Sequence, residues 1–114
     1  LNSFAKIRFV LLIYVLLVIL ASLLPSGGIS VGNSDKVGHF FAYAGMAILA
    51  LLSFEGKSAR LAALLGAVGL GTLLEWGQSF VPGRDMSLAD GITNALGVLV
   101  GALFFRFYGH ILLD

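Results

Sequence analysis

"LAALLGAVGLGTLLEWGQSFVPGRDMSLADGITNALGVLVG", residues 61–101, passes from one solvent to another and back. Its opening, up to Leu74, and its close, from Ala95 on, are almost wholly Leu, Ala, Val and Gly. Between them stand Glu75, Gln78, Arg84, Asp85, Asp90 and Asn94. Backbone that enters lipid must satisfy its own N–H and C=O groups, and an apolar run of this length does so as a helix. The run 61–80 stops at Val81, Pro82 and Gly83, residues that together close a helix. A second helix opens after Ser87, with Asp90 three places on in the spacing of a helix cap. The stretch reads as a helical hairpin whose polar side chains gather at the turn.

The rest of the chain agrees. Of its 114 residues 59% are hydrophobic and 11% charged, with a mean hydropathy of +1.01, whereas soluble domains are roughly 25% charged. This composition is that of a membrane protein. The run "FVLLIYVLLVILASLL" at 9–24 follows Lys6 and Arg8 and ends at "PSGG". A basic start and an apolar run also describe a signal peptide, but the run is long and no A-x-A pattern follows, so a retained span is expected. The run "VGHFFAYAGMAILALLSF" at 37–54 lies between "GNSDK" and "EGKSAR", where Gly56 marks a turn. Each span needs about 20 residues, so the prediction is all-α: a four-helix transmembrane bundle, helices at about 9–24, 37–54, 61–80 and 88–108, forming a single domain over residues 1–114.

Alternating spans put Lys6, Arg8, Lys57, Arg60 and Arg106 on one side against Lys36 and Arg84 on the other. The basic excess predicts that the first side, with both termini, is cytoplasmic. Asp35, Lys36 and His39 then open the second helix from outside, Glu75 and Gln78 close the third there, and Asp90 and Asn94 open the fourth. Asp35, His39 and Tyr43 recur every fourth residue and share one stripe. Gly97 and Gly101 form a GxxxG, and Gly66, Gly69 and Gly71 predict a comparably thin, closely packed face on the third helix.

These residues carry a resemblance. "DKVGHFFAY" and "EWGQSFVPGRDMSLADGITNALGVLVG" resemble the VanZ-like integral membrane proteins from about Asp35 to Gly101. The pattern is D-K-x-x-H at Asp35, Lys36 and His39, E-x-x-Q at Glu75 and Gln78, R-D at Arg84 and Asp85, then Asp90, Asn94 and Gly97. Its pieces are specific in order, and none is specific alone. The family takes its name from a protein associated with glycopeptide resistance, chiefly to teicoplanin, in Gram-positive bacteria. The resemblance implies a multi-pass protein of the bacterial cytoplasmic membrane and does not imply a reaction.

Each polar residue also has a structural reading. An acid at Asp35 suits the first turn of a helix, Asp90 can be half of a cap, Lys36 can snorkel, and Arg84 and Asp85 can pair in an interfacial turn. Glu75 resists such a reading, because it lies inside a span where a carboxylate costs about 2.5–3.5 kcal/mol on insertion scales. Four carboxylates, one histidine and two cations in one layer suit a proton relay, an acid/base pair or a cradle for a polar headgroup. No H-x-x-x-H spacing supports a metal, and the chain has no cysteine, which also excludes disulfides and a thiol nucleophile. No cofactor is called for. A net charge of +1 makes no case for nucleic acid. Trp76, Phe80 and Phe40 suit an aromatic belt or the wall of a pocket, and His110 an inner interface.

The leading functional expectation is a non-enzymatic envelope protein. It would hold an amphiphilic glycopeptide or a lipid-linked cell-wall precursor at Asp35, Lys36, His39, Glu75, Gln78, Arg84, Asp85, Asp90 and Asn94, in contact with membrane lipids and possible as a homo-oligomer. The alternative is a membrane-embedded hydrolase or transferase using Glu75, His39 or Asp90. A small proton-coupled exporter is disfavoured, since such proteins carry a buried acid in the first helix and residues 9–24 hold none.

Overall fold

The computed structural model describes residues 2–24, 34–82 and 88–113. Four helices run through them: α1 (Ser3–Leu23), α2 (Ser34–Ser53), α3 (Lys57–Gln78) and α4 (Leu88–Leu113). Each is long and apolar enough to cross a membrane, and the described residues contain no strand. The bundle's long axis, 43 Å, matches a bilayer of about 40–45 Å with its headgroups.

The helices begin and end where local chemistry lets them, which differs from the hydropathy boundaries. α1 starts two turns before residue 9, because Asn2 caps it: its side chain accepts from Ala5 N at 2.7 Å. Lys6 and Arg8 are therefore helical. At its other end Leu24 is already extended, as a residue before proline prefers to be. α3 begins at Lys57 rather than 61, after Gly56, whose φ of 89° is a conformation that glycine adopts and other residues rarely do. It ends at Gln78, where Ser79, Phe80 and Val81 donate to carbonyls three residues back and tighten the chain into a turn. α4 runs past the expected 108 to Leu113. Ser87, the expected cap of α4, lies outside the described residues.

α2 is the centre of the bundle and touches all three other helices, while α1 packs on α2 and α3 only. The core is Tyr43, Met46, Ala47, Ala67 and Val98. α2 and α4 approach closely because α4 has no side chain at two successive turns. A Cβ on Gly97 would run into the Phe40 carbonyl oxygen, and one on Gly101 into the Ala44 carbonyl oxygen. The GxxxG is thus a helix contact. The glycines of α3 depart from expectation: only Gly71 is closely packed, with Tyr43 and Asn94 over it, whereas nothing lies within 4 Å of a Cβ at Gly66 or Gly69. Those two have open space in front of them, so composition alone overstated the thin face.

α1 has no buried residue, and lipid supplies no hydrophobic drive for helix association. Polar ties set its register instead, at three levels. Arg8 Nε donates to Ser53 O at 2.8 Å, Tyr14 Oη to Ala42 O at 2.5 Å, and Gln78 Nε2 to Ser22 O at 3.0 Å.

Candidate functional site

Three helix ends meet at one end of the bundle: the N-termini of α2 and α4 and the C-terminus of α3. Their dipoles set the local field. Asp90, in the first turn of α4, lies at the positive end of that helix, where an anion is stabilised. Lys36, in the first turn of α2, sits against its own dipole and is offset by Asp90, with Nζ to Oδ1 at 3.7 Å. That separation is an ion pair rather than a direct hydrogen bond. Asp90 is buried and Lys36 partly exposed, so the pair sits at the rim of the layer.

One turn deeper, His39 Nδ1 and Asn94 Oδ1 are 2.9 Å apart. With the amide oxygen accepting, Nδ1 carries a proton and donates it to Asn94, which orients the ring. Asn94 is itself fixed by packing, since its Cβ and Nδ2 sit over Gly71 together with Tyr43. His39 and Tyr43 both point into this junction of α2, α3 and α4, as their four-residue spacing predicts.

Glu75 is only 6% exposed. It lies in the last turn of α3, against that helix's dipole, but beside the first turn of α4: its Cγ is 3.9 Å from where a Gly91 Cβ would stand. That is ordinary contact distance, so the Glu75 side chain packs on the first turn of α4, the favourable end of that helix for an anion. Among the described residues no three His, Asp or Glu side chains are grouped as around a metal ion.

The structure thus brings together Lys36, His39, Glu75, Asp90 and Asn94. Gln78 is buried but turns its amide nitrogen to α1, where Ser22 O is one of the carbonyls a helix C-terminus leaves unsatisfied. Hydropathy and spacing carry no signal for that partner, which lies on another helix. Gln78→Leu is expected to destabilise the protein by about 1–3 kcal/mol through the stranded carbonyl, read as a lowered thermal midpoint of helix circular dichroism. Arg84 and Asp85 lie outside the described residues, as does the Asp35 side chain. Trp76 and Phe80 stack edge to face at 5.1 Å and are 57% and 71% exposed. They face away from the polar layer, as residues of a belt do.

One comparison with known proteins finds a match. No curated protein and no solved structure matches the chain. The sequence model of the VanZ/LLP1 family matches residues 2–109, which takes in α1, α2, α3, α4 as far as Gly109, and every residue of the polar layer. The chain belongs to the VanZ/LLP1 family.

Proposed function

We propose that the polar layer holds the headgroup of an amphiphilic ligand, a lipid-linked cell-wall precursor or a glycopeptide with a lipid tail, on the outer face of the bacterial cytoplasmic membrane. The observation that carries this reading is the meeting of the Lys36–Asp90 pair, the His39–Asn94 hydrogen bond and buried Glu75 in one layer at one end of the bundle. Charged groups inside a span are expensive and are kept where they pair or serve. Lys36, at the rim and partly exposed, would meet a phosphate or carboxylate, and Arg84, between α3 and α4 in the sequence, would be the second cation. His39, Glu75, Asp90 and Asn94 then select the polar groups behind it. Family membership supports a link to glycopeptide tolerance.

The His39–Asn94 hydrogen bond favours a second reading, in which His39 or the Glu75 carboxylate takes a proton from a substrate or water in a hydrolase or transferase.

Trp76, the single tryptophan, faces away from the polar layer but shares the last turn of α3 with Glu75, so its fluorescence follows changes in the surroundings of that turn. A polyprenyl-diphosphate-linked saccharide or teicoplanin is expected to change its fluorescence saturably, with Lys36→Gln and Asp90→Asn each weakening affinity about tenfold or more. No saturable change with either compound overturns the reading.

The outward placement rests on the five-to-two basic excess. Single cysteines in the natively cysteine-free chain are expected to react with an impermeant thiol reagent on intact cells between Gly27 and Asn33, and to resist it near Gly56. The reverse pattern moves the site to the inner face.

A further inference from the structure

The opposite end of the bundle carries a second feature. Between α1, α2 and α3 runs a groove of about 240 Å³, lined by Leu11, Val15, Met46, Ala50, Gly66 and Leu70 among others. It exists in part because residue 66 has no side chain, and nothing lies within 4 Å of where its Cβ would be. Its lining is overwhelmingly hydrocarbon, and a held water needs roughly two to four polar partners. The groove therefore suits an apolar occupant.

Phe54 closes its end, and cations collect there. Arg8 lies over the Phe54 ring at 5.2 Å while its Nε donates to Ser53 O. Arg60 donates Nε to Phe54 O at 3.0 Å and lies over the Phe105 ring at 5.1 Å. The carbonyls of Ser53, the last residue of α2, and of Phe54 just after it thus hold two guanidinium groups beside the Phe54 end of the groove, near the negative end of that helix. Among the described residues each guanidinium hydrogen-bonds through its Nε alone, its other contacts being with ring faces, which leaves its terminal amino groups to hydrogen-bond a ligand. Exposed Lys57 adds a third cation, against the exposed carboxylate of Glu55. From Phe54 to Met46 the groove follows α2 for about 12 Å at 1.5 Å per residue, close to the ~15 Å depth of one leaflet's hydrocarbon.

We infer that this groove and its cationic mouth bind a phospholipid with an anionic headgroup, one acyl chain lying in the groove and the phosphate against Arg8 and Arg60. An arginine meets phosphate oxygens with two parallel N–H groups, and two arginines fixed at one mouth set a preference that general lipid contact with a bundle lacks. The site is independent of the polar layer, which lies at the other end, and of which leaflet each end occupies.

The test is native mass spectrometry of the full chain in detergent, titrated with dioleoylphosphatidylglycerol or dioleoylphosphatidylcholine. The anionic lipid is expected to be retained at least about threefold better, with Lys57→Gln reducing that preference. Gly66→Leu places its side chain in the groove and is expected to lower retention of the anionic lipid about tenfold. Gly69→Leu, equally open but outside the groove lining, is expected to leave retention unchanged. Ala63→Leu enters the groove from the preceding turn and is expected to give the same loss, so the result does not hang on one variant folding. Equal retention of the two lipids overturns the inference. So does unchanged retention in both Gly66→Leu and Ala63→Leu at an unchanged thermal midpoint. Inorganic phosphate is expected not to displace the lipid; displacement by phosphate alone marks a simple anion site and overturns it also.

Discussion

Gly97→Ala and Gly101→Ala are each expected to destabilise the protein by about 1–3 kcal/mol, and the double variant to prevent assembly of the bundle. The sign needs deciding, because alanine in a helix is otherwise favoured over glycine by about 0.5–1 kcal/mol. Packing wins at these two positions, since the added methyl meets the backbone of α2: the Phe40 carbonyl oxygen at residue 97 and the Ala44 carbonyl oxygen at residue 101. A side chain can rotate away, whereas a helix carbonyl cannot. The two helices must separate along their whole crossing. Gly66→Ala and Gly69→Ala are the controls, having open space at the same atom, and are expected to be neutral or slightly stabilising. Unfolding in denaturing detergent, followed by helix circular dichroism, reads all four. Equal stability of the two pairs would mean that α4 does not rest on α2 through these glycines.

The same crossing sets the polar layer. Gly97 lies one turn below Asn94 on α4, and its neighbour Phe40 follows His39 on α2, so the 2.9 Å between His39 Nδ1 and Asn94 Oδ1 depends on the close approach beneath it. Separating the helices by a methyl group is expected to loosen that hydrogen bond and the Lys36–Asp90 pair together. Backbone contact here acts on the polar layer through distance.

Hydropathy was sufficient to find four spans, because lipid leaves helix as the only answer for such runs. It was a poor guide to their ends. A hydropathy reading stops at Lys6, Arg8, Lys57 and Arg60, while the backbone continues through them: a cation at a membrane surface need not leave the helix, since its long side chain reaches the headgroups. Glycines divide on the same ground. Gly97 and Gly101 are readable as a contact because GxxxG implies a partner, yet nothing in residues 66–71 says which side of α3 faces α2 and which faces lipid. The polar layer was legible from helical spacing combined with the alternation of spans, which brought Lys36, His39, Glu75, Asp90 and Asn94 to one end. The pairing within it was not, because Lys36 finds Asp90 and His39 finds Asn94 on a helix far along the chain. Gln78 shows the limit most clearly: its spacing from Glu75 put it in the site, while its amide nitrogen serves α1.

Glu75→Gln separates the two functional readings. The substitution keeps the side chain's size and its capacity to hydrogen-bond, and removes only the charge beside the first turn of α4. In a binder that charge is one contribution among several, so affinity for the lipid-linked saccharide, and glycopeptide tolerance in cells, are expected to fall about tenfold or less. In an enzyme that uses Glu75 as its base the same change removes the proton acceptor, and turnover falls by roughly a hundred to ten thousand fold. Arg84→Lys provides the internal scale, because lysine keeps the charge but lacks the planar two-pronged contact with phosphate. The binder predicts that Arg84→Lys is at least as damaging as Glu75→Gln, since it weakens the grip on the headgroup directly. Measuring ligand affinity by Trp76 fluorescence alongside tolerance keeps the readings apart. Complete loss of tolerance in Glu75→Gln, with affinity and thermal midpoint intact, is the result that transfers the site from binding to catalysis; a graded loss in step with affinity leaves Glu75 as a buried anion that helps to hold a headgroup.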